Sequence, residues 1–336
     1  MNEPSVRRPW RFLAWLIVVG VLLWLVLAVW PARLVEAIGT KKLFMNAVLN
    51  GITLGGLYFL VASGFTLIFG LMRNVNLAHG SLYLFGGYVG YEVSAATGYW
   101  SLALLAAFVA VALIGVLLQV AVFSRMEGQD LKQTMVTIGL SIVFADLMQW
   151  VFGGNFYQVD TPAWLAGPVS MPFVVGTSTT GETVLMRYPL VRLVILAVSV
   201  VIGGGLWAGL NRTRVGMVVR AGVDDREILA ATGVRVQCVF AAVFALGAGL
   251  AGFAGVIGGS FQSISPGEDL RFLLASLVVV IVGGMGSVTG AALGALVIGL
   301  AEQLGAAYFP TYAIVLTFLI MVAVLALRPQ GLLQGR

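Results

Sequence analysis

Long apolar runs recur along most of this chain, and they constrain its fold more than any other feature. A run of about 20 apolar residues is long enough to cross the hydrocarbon core of a bilayer as a helix. Hydrophobic residues make up 60% of the 336-residue sequence and charged residues only 10%, whereas a soluble domain has about 25% charged residues. Because the runs are continuous instead of alternating, they indicate helices and not the strands of a membrane barrel. The sequence therefore predicts an all-α polytopic membrane protein.

About ten transmembrane helices are predicted, some of them broken or re-entrant. They cover residues 12–30, 43–70, 77–96, 101–123, 133–152, 189–210, 238–260, 271–286, 288–307 and 311–327. The run at 278–299 can be drawn as one broken helix or as two. Most of the 19 Lys and Arg residues fall on the inner side when the N-terminus is placed in the cytoplasm. This bias predicts that both termini are cytoplasmic, which agrees with an even number of spans.

The predicted organisation is one membrane domain with an additional N-terminal helix. Residues 1–42 are expected to form a signal-anchor helix and its connector, since the apolar run is as long as a full span and lacks a small-residue cleavage site. Residues 43–336 are expected to form a single transmembrane domain. It includes an outer loop at 153–188 and a charged cytoplasmic loop at 211–237. Residues 169–188 of the outer loop favour a small extracytoplasmic β-hairpin, which is either a docking surface or a simple connector.

Composition excludes several classes of function. The single Cys and single His rule out an internal disulfide and the usual multi-histidine metal sites. A phosphate-binding GxxxxGK[ST] motif does not occur, so ATP binding through such a loop is excluded. We expect neither a cofactor nor a catalytic residue. The net charge of +5 does not indicate nucleic-acid binding, because in a membrane protein the positions of Lys and Arg report orientation. The chain is thus not expected to be an enzyme.

The sequence NVNLAHGSLYLFGG at residues 74–87 places several polar groups between two apolar runs. Side chains this polar are costly against lipid, so they face protein or a water-filled cavity. The glycines allow a broken helix, whose free N–H groups can hold a carboxylate. The candidate pathway residues in this motif are Asn74, Asn76, His79, Gly80 and Ser81. In the alternative, which we favour for His79, these groups satisfy the backbone of a re-entrant turn.

Other polar residues within spans are candidates for the same pathway. Asn46, Asn50 and Thr53 recur at helical spacing, so they share one face of the second span. That face either lines the pathway or makes hydrogen bonds to neighbouring helices. Asp146 lies deeper than other acidic residues in the spans and is predicted to meet a partner chain. Glycine pairs four residues apart allow close helix packing, and they are Gly51/Gly55, Gly86/Gly90, Gly205/Gly209 and Gly290/Gly294.

A short amphipathic helix is predicted within the cytoplasmic loop, at residues 223–233. Two aspartates stand at its expected start, where the helix dipole favours negative charge, and Gly233 follows its expected end. Because two turns do not make a stable helix in water, something must pack on it. It either packs on its own membrane domain or fits a groove on a soluble partner. The candidate contact residues are Arg220, Asp224, Asp225, Glu227, Ile228, Leu229, Ala231 and Gly233.

Four stretches together resemble one family of transport proteins. They are residues 50–88, 216–234, 249–259 and 278–302, and the LRPQGLLQGR ending at 327–336 adds to the likeness. From about Phe44 to its end, the chain resembles LivH-like permease subunits of branched-chain amino-acid type ABC importers. The chain departs from the pattern of this family in two places. The shortest LivH-type members lack the span 12–30, and Ser81 occupies a position that is usually acidic.

The resemblance implies a function and a set of partners. A subunit of this kind works with a second related (LivM-like) permease, two ABC ATPases and an extracytoplasmic solute-binding protein in a bacterial inner membrane. ATP hydrolysis in the partner ATPases would drive alternating access. The short helix at 224–232 would be the coupling helix, and Gly233 matches the glycine that closes it. The expected solute is a branched-chain or related amino acid. The alternative is an ion-coupled secondary transporter of a small polar solute, a class that usually needs buried acidic or histidine groups.

Overall fold

The structure, a computed structural model, describes residues 41–72, 75–126, 128–177 and 183–333. The predicted first span at 12–30 lies outside these residues. The α-helices of this part are α1 (Lys41–Met72), α2 (His79–Thr97), α3 (Trp100–Ala121), α4 (Asp130–Phe152), α5 (Leu190–Arg212), α6 (Arg214–Asp224), α7 (Arg226–Ala231), α8 (Val236–Phe261), α9 (Glu268–Gly283), α10 (Val288–Tyr308) and α11 (Ala313–Leu327). Two strands, β1 (Pro168–Thr177) and β2 (Thr183–Pro189), lie between α4 and α5.

A helix is present at each of the nine predicted spans that fall within the described residues. Six helices of this part are long and apolar enough to cross a membrane, namely α1, α3, α4, α5, α8 and α10. Helix α9 has 16 residues, or about 24 Å at 1.5 Å per residue, which is shorter than a hydrocarbon core of about 30 Å. The chain is a polytopic helical membrane protein in which some helices are shorter than a full span.

The centre of the bundle is built from α1, α2 and α8, with α9 and α10 packed around them. Close approach requires glycine at several crossings. A Cβ on Gly86 would lie 2.2 Å from the Cα of Gly252 on α8, and one on Gly55 would lie 2.9 Å from the carbonyl oxygen of Ala295 on α10. Because the obstacles are backbone atoms, no larger residue fits without separating the helices. Close packing of small residues thus holds the centre together.

The glycine pair on α5 differs from the three other pairs. Among the described residues, no atom lies within 4 Å of the position of a Cβ added to Gly205 or Gly209. Val200 and Val201 of the same helix are also exposed. In the described part of this chain, that face of α5 is therefore covered by no other element.

The two strands form an antiparallel hairpin that leans on the start of α1. Val169 of β1 pairs with Tyr188 of β2 in this ladder. Met186 and Tyr188 are buried, and they pack in one apolar cluster with Met45 of α1. A two-stranded hairpin is at best marginally stable alone, so this cluster fixes its position.

The segment at 223–233 contains a helix junction where the sequence suggested one helix. Asp224 is the last residue of α6, and Asp225 has an extended backbone. The Asp225 side chain accepts a hydrogen bond at 3.0 Å from the backbone N–H of Ile228 and so caps α7. Capping by the second aspartate starts a new helix, which is why Asp224 ends α6 instead of beginning a helix.

Candidate transport and coupling sites

Helix α2 starts well inside the bundle, beside the middle of α1. The Asn76 carbonyl oxygen accepts the His79 N–H at 3.2 Å, and its side-chain oxygen accepts the Ala78 N–H at 3.1 Å. These two bonds form the turn that leads into α2 and satisfy N–H groups that a helix start leaves open. Asn74 lies outside the described residues.

His79 is completely buried against α1. Its Nε2 lies 3.0 Å from the carbonyl oxygen of Val61, and its ring meets Phe65 edge-on with centroids 5.4 Å apart. Val61 precedes the end of α1 by about 17 Å at 1.5 Å per residue, so the first residue of α2 lies well back from that end. Among the described residues, Nδ1 of His79 has no hydrogen-bond partner.

Gly80 and Ser81 bring the start of α2 against the start of α9. A Cβ on Gly80 would lie only 2.0 Å from the carbonyl oxygen of Asp269. The Ser81 hydroxyl lies 3.4 Å from the Asp269 carboxylate and 3.4 Å from the carbonyl oxygen of Ser141 on α4. The motif therefore joins α2, α4 and α9 at one point.

The polar face of α1 makes a separate network with the hairpin and α5. The Tyr188 hydroxyl lies 2.9 Å from the Thr53 hydroxyl and donates to the Asn50 side-chain oxygen at 3.2 Å. Arg192 donates to that same Asn50 oxygen. Burial raises the pKa of the Tyr188 phenol, while the Thr53 hydrogen bond and the Arg192 charge oppose that shift. Asn46 is half-buried on the same helix.

The two predicted groups of pathway residues do not meet. Thr53 precedes Val61, the contact of His79, by about 12 Å along α1. The first group faces β2 and α5, whereas the second faces the middle of α1, α4 and α9. The structure thus places them at two separate sites.

A third polar site was not identified from the sequence. Glu302 of α10 accepts a hydrogen bond from the Tyr58 hydroxyl at 2.7 Å and forms an ion pair with Arg271 of α9 at 3.5 Å. Arg271 also pairs with Glu268 at 3.3 Å. We call Tyr58, Glu268, Arg271 and Glu302 the Arg271 cluster. In the sequence, only the three-residue spacing of Glu268 and Arg271 signals such a pair.

A rigid joint connects α5 to α6. Thr213 accepts the Gly216 N–H at 3.1 Å and caps α6. Arg220 donates to the carbonyl oxygen of Leu210, in the last turn of α5. A Cβ on Gly216 would lie 2.1 Å from that same oxygen, so the two helices meet backbone to backbone. Arg220 thus fixes the direction of α6 relative to α5.

The two apolar residues of α7 differ in exposure. Leu229 is 6% exposed and packs inward, whereas Ile228 is 65% exposed. Ala231 is exposed and ends the helix, and Gly233 follows with a positive φ of 85° that suits glycine. The side chains of Asp224 and Glu227 lie outside the described part of the structure. Ile228 therefore presents an apolar side chain outward on a short helix whose neighbouring residue, Leu229, packs inward.

Asp146 lies on the exposed face of α4, opposite the side that packs on the bundle. The buried residues of α4 are Gln133, Thr137 and Met148. A carboxylate within a span costs about 2.5–3.5 kcal/mol on insertion scales if it faces lipid at the centre. That cost favours protein or water beside Asp146.

Comparison with known proteins identifies the family. The model of the family described as "Branched-chain amino acid transport system / permease component" matches residues 47–325. The LivH high-affinity branched-chain amino acid transport system permease protein of Salmonella typhimurium is 29% identical over 302 residues, or 86% of this chain and 95% of that protein. The corresponding BraD protein of Pseudomonas aeruginosa is also 29% identical over 302 residues, with the same coverage. A probable LivH of Methanocaldococcus jannaschii is 25% identical over 310 residues, or 89% of this chain and 94% of that protein.

These findings define a multi-pass permease subunit. The apolar helices give the class of protein, which is a polytopic membrane transport component. The chain belongs to the family of branched-chain amino acid transport system permease components. No solved structure matches this chain.

Proposed function

We propose that this protein is the permease subunit of an ATP-driven importer in a bacterial inner membrane. It moves a branched-chain or related amino acid inward by alternating access. The partners are a second related permease, two ABC ATPases and an extracytoplasmic solute-binding protein. This proposal extends the family membership to a mechanism and a solute.

The observation that carries the proposal is the exposed Ile228 on a short helix that the buried Leu229 anchors. An apolar side chain that is 65% exposed favours burial in a groove, and full burial of such a side chain stabilises a contact by about 1.5–3 kcal/mol. Helix α7 is too short to be stable in water by itself, but the Asp225 cap and inward-facing Leu229 hold it. This arrangement suits a helix that fits a cleft on an ATPase.

The joint between α5 and α6 supplies a route for the motion. Arg220 donates to the Leu210 carbonyl oxygen and Thr213 to that of Gly209, so both tie α6 to the end of α5. Helix α5 is one of the apolar helices that can cross the membrane. When an ATPase displaces α7, the rigid joint passes the displacement to α5. The hairpin on the opposite end of the domain is the proposed contact for the binding protein, and the Asp146 face of α4 is the proposed contact for the second permease.

Substitution of Ile228 tests the coupling role. We expect Ile228→Asp to lower solute uptake at least tenfold in vesicles that hold the assembled transporter, because a charged group in the groove opposes docking. The measurement is uptake of labelled leucine together with ATP hydrolysis after addition of loaded binding protein. Wild-type vesicles that hydrolyse no ATP under these conditions would contradict the ATP-driven mechanism itself.

Two control variants separate docking from folding. Ile228→Leu keeps an apolar side chain and should retain uptake. Leu229→Ala removes a buried side chain, so it should lower the unfolding midpoint of the isolated protein, whereas Ile228→Asp should not. Full uptake by Ile228→Asp would refute the assignment of α7 as the coupling helix.

A second candidate function is supported by the Arg271 cluster. Acidic groups within spans are typical of ion-coupled secondary transporters, and Glu302 is such a group. The same vesicles distinguish the two, because a secondary transporter would accumulate solute with an ion gradient and without ATP.

A further inference from the structure

The Arg271 cluster joins three helices, α1, α9 and α10. Tyr58 lies about 25 Å along α1 from Lys41, and Glu302 lies about 9 Å from the end of α10 at Tyr308. The Tyr58–Glu302 hydrogen bond therefore lies about two turns inside the end of α10 and joins two helices that are long and apolar enough to cross a membrane. A charged side chain within such a helix is costly, and a functional role is the default hypothesis for it.

Helix α9 begins at this site. Its first two residues are Glu268 and Asp269, and Asp269 touches Gly80 at the start of α2. Two helix N-termini therefore meet beside the cluster, as in the discontinuous helices of transporters. The N-terminus of each helix carries partial positive charge, which assists binding of a carboxylate.

The charges of the cluster do not balance. Glu268 and Glu302 supply two carboxyl groups for the one guanidinium of Arg271. The two ion pairs measure 3.3 and 3.5 Å, longer than the 2.7–2.9 Å of a strong charge-assisted hydrogen bond. Arg271 also remains 44% exposed at its side chain. A bound cation would bring the number of positive groups at the site closer to the number of carboxyl groups. The exposed guanidinium of Arg271 can also contact a further anion.

Apolar surface lies next to the charged groups. Leu274 is one turn beyond Arg271 on α9 and 43% exposed, and Leu270 is 58% exposed. Phe272 stacks on Tyr83 with ring centroids 4.1 Å apart and meets Tyr58 edge-on at 5.9 Å. This packing holds Tyr58 in place, while the two leucines offer a surface for an aliphatic side chain.

We propose that the Arg271 cluster binds the charged ends of a zwitterionic α-amino acid during its passage. Arg271 takes the carboxylate, and Glu268 and Glu302 take the ammonium group. Leu270 and Leu274 contact the aliphatic side chain. The proposal rests on the proposed import function and adds to it the place on this chain where the solute is recognised.

Direct binding to the assembled transporter tests this site. The probe is radiolabelled leucine, bound to the purified nucleotide-free complex without binding protein and displaced by unlabelled analogues. Leucinamide lacks the carboxylate and isocaproate lacks the ammonium group, so each should compete at least tenfold less well than leucine. Arg271→Gln and Glu302→Gln should each weaken leucine binding at least tenfold, whereas Glu92→Gln, at an exposed position of α2, should not.

Substitution of the charged residues should also change solute specificity, which a purely structural role would leave unchanged. Glu268→Gln should reduce the preference for leucine over isocaproate, because it removes a partner of the ammonium group. Equal competition by the three solutes, or wild-type leucine binding by both Arg271→Gln and Glu302→Gln, would overturn the proposal. Binding-protein-stimulated ATP hydrolysis by the wild-type complex reports on the import function separately, so either idea can fail alone.

Discussion

The contact between Gly80 and α9 predicts that a single methyl group at this position separates two helices. A Cβ on Gly80 would lie 2.0 Å from the carbonyl oxygen of Asp269, 2.8 Å from the Cβ of Leu273 and 3.0 Å from the carbonyl carbon of Asp269. An ordinary contact begins near 3.4 Å, so Gly80→Ala requires a shift of about 1.4 Å. Because the nearest obstacle is backbone, no side-chain rotation relieves the overlap.

The size of the effect follows from the rigidity of both helix starts. Overpacking a well-packed interior costs about 1–3 kcal/mol. Gly80 adjoins the buried His79, whose contact with Val61 resists movement of α2. We therefore expect Gly80→Ala to lower the free energy of unfolding by about 3 kcal/mol, the upper end of that range.

Unfolding of the purified chain in detergent measures this difference. The matched control is Gly205→Ala, since no atom of the described part of the chain lies within 4 Å of a Cβ at Gly205. Alanine in a helix interior is favoured over glycine by about 0.8–1.0 kcal/mol, so the control should be neutral or slightly more stable. Equal unfolding midpoints for Gly80→Ala and Gly205→Ala would show that α2 and α9 are not in backbone contact.

Two further substitutions test the joints at the ends of the domain. Arg220→Met removes a charged hydrogen bond to Leu210, and bonds of this class contribute about 1.5–3 kcal/mol. The number of solute molecules moved per ATP hydrolysed should therefore fall in vesicles. An unchanged number would exclude a role of Arg220 in transmitting the motion. Tyr188→Phe removes the bonds to Thr53 and Asn50 and should cost about 1 kcal/mol for each. Since burial raises the pKa of Tyr188 above 10.0, this contribution is present below pH 10 and is lost as pH rises through the pKa of the folded phenol. Unfolding measured from pH 7 to 9 should thus show a constant difference from the wild type, and a difference that shrinks in this range would contradict the shift.

The helices could be placed from the sequence with small errors. The prediction at 238–260 corresponds to α8 at Val236–Phe261, and the prediction at 271–286 corresponds to α9 at Glu268–Gly283. Continuous hydrophobicity marks such segments because backbone groups in lipid must be satisfied within the helix. The short helices required more information, since α7 depends on the capping bond from Asp225 to Ile228.

The candidate sites were only partly visible in the pattern. Helical spacing correctly placed Asn50 and Thr53 on one face, but their partner Tyr188 follows more than 130 residues later. The Arg271 cluster unites residues of α1, α9 and α10, and no spacing rule connects helices so far apart in sequence. Adjacent residues of similar type also differ in exposure, since Ile228 is exposed and Leu229 is buried.

The sequence by itself determined that this chain is a polytopic helical membrane protein and resembles one permease family, because hydrophobic length and local motifs are properties of contiguous residues. The tertiary structure decided which polar residues meet. It placed His79 in a buried contact with α1 and brought Arg271, Glu302 and Tyr58 together at the start of α9. Helix packing decides which side chains come into contact, and glycine contacts between distant segments set that packing. Local sequence patterns do not specify contacts between distant segments.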